Sequence, residues 1–125
     1  MENRLQPFNE IFRVRTRTFS KNICRWVDNL PKKDSIQYLQ GQVVRSGTSV
    51  AANFRAACRS RSSKEYYAKI CIVVEECDEI QYWVEFLAET YLIQNDMTRD
   101  LIKEATELVA VFTSTKKKLK ERLNP

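Results

Sequence analysis

Histidine is absent from all 125 residues, and there are only 2 glycines and 3 prolines. Without histidine, the usual zinc ligand sets and any histidine-based catalytic triad are excluded. A serine, threonine or cysteine nucleophile would then have to rely on a lysine base. With so few helix breakers, and with Pro7, Pro31 and Pro125 outside the periodic runs, the chain has little means of making tight turns or short strands. Its four cysteines, Cys24, Cys58, Cys71 and Cys77, show no CxxC spacing and read as reduced, buried thiols. No apolar run reaches the ~18 residues of a membrane span, and MENRLQPFNE lacks the pattern of a signal peptide. A soluble, cytoplasmic protein without a membrane partner is expected. Walker and GxGxxG loops are also missing.

What the chain does contain is helical periodicity within the length of one domain. Phe8, Phe12, Phe19, Ile23, Trp26 and Leu30 share one helical face, and Pro31 ends that run. Asp34 or Ser35 is placed to cap a second helix, whose seam runs through Ile36, Leu39, Val43, Ser46, Val50, Phe54 and Ala57. Ser62, three residues before Glu65, has capping-box spacing. From there Tyr66, Ile70, Val73, Cys77, Ile80, Val84, Leu87 and Tyr91 alternate steps of four and three, which predicts the longest helix. Asn95 suits a left-handed helix end, and Asp96 or Thr98 suits the next cap. Leu101, Ala105, Leu108, Phe112, Thr115 and Leu119 then carry a fourth seam into KKKLKERL. The prediction is an all-α, up-down-up-down antiparallel bundle with helices over about 8–30, 35–59, 62–95 and 98–123.

The net charge of +5 is segregated. Residues 35–64 hold five cations and no acid, whereas residues 65–96 hold one cation and eight acids. Such a layout suits a polyanion, or unlike faces of a self-associating protein. Arg13, Arg17, Lys21 and Arg25 are spaced by four along the first helix. Arg45 precedes a second run of Arg55, Arg59, Arg61 and Lys64, and Lys116, Lys117, Lys118, Lys120 and Arg122 form a third. Guanidinium groups fork onto phosphate and release counterions, so these clusters are candidates for RNA or DNA backbone. Pairing with acids of a neighbouring helix or subunit is the plainer reading. The carboxylates Glu75, Glu76, Asp78 and Glu79 lack the histidine partners of a dimetal bundle site, so neither a metal nor a cofactor is expected.

Gly47 lies in a helix interior, where it costs about 1 kcal/mol relative to alanine, and close approach of another backbone is the natural compensation. Asn53, beside Val50 and Phe54, reads as a buried polar anchor or as a ligand-facing group. Tyr82, Trp83 and Phe86 fall partly outside the third seam and suggest an oligomer interface, with Glu75, Asp78 and Glu79 as intersubunit acids.

The stretch RSGTSVAANFRAACRSRSSKEYYAKICIVVEECDEIQYWVEFL strongly resembles bacterial four-helix-bundle proteins first noticed as open reading frames within intervening sequences of 23S rRNA genes. The small-residue run, Asn53, the serine-flanked basic link and the Glu75, Glu79, Trp83 spacing carry the resemblance, over about residues 28–95. It implies a homopentameric barrel with a basic surface for nucleic acid, related to the accessory protein of diversity-generating retroelements. A glutamate is common in that family where Ala56 stands here, and glycine, proline or serine at Ala51 and Ala52. Losing that acid leaves Arg55 and Arg59 less neutralised. The function expected is a non-enzymatic, oligomeric nucleic-acid-binding protein. The alternative is an interaction scaffold, for example for a reverse transcriptase.

Overall fold

The computed structural model describes residues 5–124. Four helices make up the fold: α1 (Gln6–Asp28), α2 (Asp34–Cys58), α3 (Ser63–Thr90) and α4 (Asp96–Leu123). Each packs extensively on the next, while α1 and α4 touch only slightly, so the bundle is closed along three seams and looser along the fourth. No strand occurs among the described residues.

The seams expected from periodicity form the core. Ile70, Val73, Ile80, Val84 and Leu87 of α3 are fully buried, as are Val43, Val50 and Phe54 of α2 and Ala105, Leu108 and Phe112 of α4. At one end Phe8, Phe54 and Phe112 meet edge-on or tilted, with centroids 5.2–6.2 Å apart. At the other, the Trp26 indole N–H donates to Thr98 Oγ1 at 2.8 Å, joining the end of α1 to the start of α4. The cysteines are free thiols, but only Cys77 is buried; Cys24, Cys58 and Cys71 are half-exposed.

Helix ends differ from expectation in ways local chemistry explains. α1 starts at Gln6 because proline is tolerated in the first turn, where its missing N–H costs nothing. It stops at Asp28 rather than Leu30, since the residue before Pro31 is pushed out of the helical region. Neither Asp34 nor Ser35 caps α2: Lys33 holds the N-cap position without a side-chain bond, and the Ser35 hydroxyl bonds the Tyr91 hydroxyl at the end of α3. Ser62 does cap α3, accepting from the Glu65 amide at 3.1 Å.

The largest difference lies between α3 and α4. α3 ends at Thr90, not Asn95, and has 28 residues, as does α4. Leu92 takes the left-handed conformation at φ 54°, and the Ile93 amide donates back to the Ala88 carbonyl at 2.9 Å, the six-to-one bond of a Schellman motif. This turn returns Ile93 to the core edge. Asn95 is then extended and caps α4 from its side chain, accepting from the Thr98 amide at 2.8 Å.

Candidate nucleic-acid interface

The candidate site begins with the contact between α1 and α2. Ser20 Oγ donates to the Gly47 carbonyl at 2.7 Å, and a Cβ on Gly47 would sit 2.6 Å from Cγ2 of Ile23. Glycine is therefore the residue that lets α1 approach α2 at this level. Toward the phenylalanine end the two helices leave a groove of about 460 Å³ lined by Arg13, Val14, Arg17, Thr18, Lys21, Ala51, Ala52 and Arg55. Three of its cations are spaced by four on α1, so they span about 12 Å at a rise of about 1.5 Å per residue. Arg55 faces them from α2. The two alanines keep the groove floor low, and Val14 contributes an apolar wall that is 61% exposed.

Charge pairing separates this groove from the other arginines. Arg15 on α1 is held by Glu104 and Glu107 of α4, and its already high pKa is raised further, chiefly by the hydrogen bond to Glu104. Arg45 on α2 is held by Glu76 and Glu79 of α3, and its pKa is likewise raised, chiefly by the bond to Glu79. By contrast, no carboxylate among the described residues lies within ion-pair distance of Arg13, Arg17, Lys21 or Arg55. Arg13 is also close enough to Cys58 to pull its thiol pKa down, against the larger upward push of burial.

Of the eight basic residues in the Arg13–Arg25 and Arg55–Lys64 runs, four converge and four do not. Arg25 lies a turn beyond the groove and donates to Asn22 Oδ1 at 3.1 Å. Arg59, Arg61 and Lys64 sit past the end of α2, around the link to α3, where Arg61 pairs with Glu65 at 3.5 Å. Val14, Thr18, Ala51 and Ala52 complete the groove lining and are not among the site residues expected from the sequence. The signal for Val14 was there: an apolar residue between two arginines and off the buried seam.

Asn53 is half-buried rather than a cross-helix anchor. Its Nδ2 donates to the Ser49 carbonyl one turn back in α2, at 2.9 Å. Mid-helix asparagine reaches its own backbone before it reaches a neighbouring helix. Glu79, read as an intersubunit acid, is engaged by Arg45 within the chain and accepts from the Trp83 indole at 3.4 Å. Glu75 and Asp78 are exposed. Beside them Tyr82 and Phe86 stack at 5.7 Å, with Trp83 5.2 Å from Tyr82, and the first two are 55% and 36% exposed. Among the described residues no three of cysteine, aspartate and glutamate converge as a metal ion would require, and no helix is long and apolar enough to cross a membrane.

Comparison with curated proteins gives no match. Among solved structures, a crystallised protein of unknown function from the S23 ribosomal protein family of Bacteroides thetaiotaomicron is similar, with a TM-score of 0.75 and 27% identity over 84% of this chain and 97% of that one. The sequence profile of the 23S rRNA-intervening sequence proteins matches residues 11–114, from the first turns of α1 to the last third of α4. With the fold and the sequence in agreement over most of its length, this chain belongs to the 23S rRNA-intervening sequence protein family.

Proposed function

We propose that this protein is a cytoplasmic, non-enzymatic homo-oligomer that holds nucleic acid by its backbone, with the α1–α2 groove as the seat. One observation carries the reading: Arg13, Arg17, Lys21 and Arg55 converge without a carboxylate among the described residues, while Arg15 and Arg45 nearby are neutralised by α4 and α3. Forked guanidinium donors over a shallow floor suit phosphodiester oxygens, and the groove lining holds no asparagine, glutamine or aromatic side chain. Binding should therefore be salt-sensitive and tolerant of sequence.

The test is fluorescence anisotropy with labelled structured RNA and duplex DNA across a salt series, with mass measured in the same buffers. Replacing Arg13, Arg17, Lys21 and Arg55 by glutamine should shallow the log K against log salt slope by about 3 to 4, since each phosphate contact contributes about 0.7 to 0.9. Unchanged binding by that variant, at unchanged mass, would remove the groove as the seat.

A second reading rests on α3. Tyr82 and Phe86, rimmed by Glu75 and Asp78, form an exposed aromatic and acidic face that suits a protein interface, either between subunits of the pentamer implied by the family resemblance or with a reverse transcriptase. Under that reading Tyr82→Ser with Phe86→Ser lowers the assembled mass or abolishes partner capture, and the groove variant keeps any nucleic-acid signal.

A further inference from the structure

Two basic segments far apart in sequence meet at one end of the bundle. The contacts among Phe8, Phe54 and Phe112 bring together the start of α1, the end of α2 and the later part of α4. Tyr66, in the first turn of α3, joins them by donating to Asn9 Oδ1 at 2.7 Å. Around this aromatic plug, residues 55–69 and 116–122 contain ten cations and two acids. One of the two acids, Glu65, is taken by Arg61.

The last two turns of α4 have a particular shape. Leu119 is buried and pins the segment to the core, while Lys117, Lys118, Lys120 and Arg122 are exposed. Gln81 donates to Thr106 Oγ1 at 3.1 Å, and the antiparallel register this marks brings Lys69 of α3 level with Lys118. Among the described residues no carboxylate lies within ion-pair distance of these α4 cations.

We propose that Lys117, Lys118 and Lys120 form a second contact for a single-stranded nucleic acid whose backbone lies in the α1–α2 groove, an inference that rests on the function proposed above. Packed helices have axes about 8–10 Å apart, so the furrow between them has the width of one sugar–phosphate strand rather than of a duplex. From Lys21 to the start of α1 is about 20 Å, a length that an extended strand of only a few nucleotides covers. A strand shorter than that ends inside the groove; a longer one passes over the bundle end to the lysines of α4. An anionic membrane is the weaker occupant, because a surface-lying helix needs an exposed apolar face and this segment turns its Leu119 inward.

The test compares the full chain with its Lys117→Gln, Lys118→Gln, Lys120→Gln variant on labelled oligouridylate strands of about four and about sixteen nucleotides, over a salt series, with mass monitored. The expected result is a slope for the longer strand shallower by about 2, three contacts at about 0.7 each, with the shorter strand unaffected. Equal loss on both lengths would mean a diffuse field rather than a contact, and an unchanged slope on the longer strand would mean no contact; either overturns the inference while leaving the groove in place. Loss of sedimentation with phosphatidylserine vesicles, alongside intact binding of the longer strand, overturns it in favour of a membrane. If the unaltered protein binds neither strand but binds structured RNA or duplex DNA, the inference alone falls; if it binds none of these, the proposed function falls with it.

Discussion

Gly47 and Asn53 stand six residues apart in α2 and have opposite standing in the structure. Alanine at Gly47 would gain about 1 kcal/mol of helix propensity, but its Cβ would press on the β-branched Ile23 at 2.6 Å, where overpacking costs about 1–3 kcal/mol. The cost wins. Gly47→Ala should lower stability by about 1 kcal/mol in urea denaturation, and a stabilised variant would show that α1 yields at no expense. Asn53→Ala gives up a bond to a carbonyl of its own helix and gains propensity, so the two offset and stability should move by less than about 0.5 kcal/mol. A loss of about 2 kcal/mol there would instead restore the buried-anchor reading. Polar groups that do tie helices together include Tyr66 with Asn9 and Trp26 with Thr98, all four of them buried. None of these pairings could be read from spacing, because each joins residues more than fifty positions apart.

At the level of whole elements, the α3–α4 connection stores strain that is easy to release. A non-glycine residue in the left-handed region costs about 1–2 kcal/mol, and Leu92 adopts it with a side chain 78% exposed, which recovers little by burial. Asparagine tolerates that conformation far better. Leu92→Asn should raise the thermal midpoint by a few degrees, corresponding to about 0.5–1 kcal/mol, in a calorimetric scan. A lower midpoint would mean that the leucine side chain contributes more than its exposure suggests. The apolar rhythm of α3 and α4 was legible in the sequence, whereas the site of reversal was not. It depends on Ile93 returning to the core edge, which leaves Asn95 to serve the next helix as its cap.

For the molecule as a whole, two groups make stability depend on alkaline pH. Burial pushes the Cys77 thiol up to about 12, helped by the nearby Glu76 and Asp78, and burial also drives the Tyr66 hydroxyl well above its ordinary value. Both groups are harder to ionise in the folded chain than in the unfolded one. Their contribution is therefore fully present below the unfolded values, about 8.5 for cysteine and about 10 for tyrosine, and is lost as pH rises through the folded values. The urea midpoint should hold steady to about pH 8 and fall progressively above it, and Cys77→Ala should reduce that fall from a lower starting stability. A midpoint flat to about pH 11 would contradict the burial of both groups. The same tertiary arrangement divides the surface, gathering the groove and the basic bundle end on one side of the charge balance and the Tyr82 and Phe86 face with its acids on the other.

The sequence by itself determined the helices and their buried faces, because periodicity of 3.6 and the near absence of glycine and proline are local properties that survive without knowing any neighbour. It also marked every basic residue that now matters. Only the tertiary structure decided which of those cations remain without a carboxylate among the described residues: α4 brings Glu104 to Arg15, α3 brings Glu79 to Arg45, and neither brings an acid to Arg13, Arg17, Lys21 or Arg55. Electrostatic pairing acts through space over a few ångströms, and the partners here lie 31 to 92 positions apart, so sequence order carries the charges but not their neutralisation.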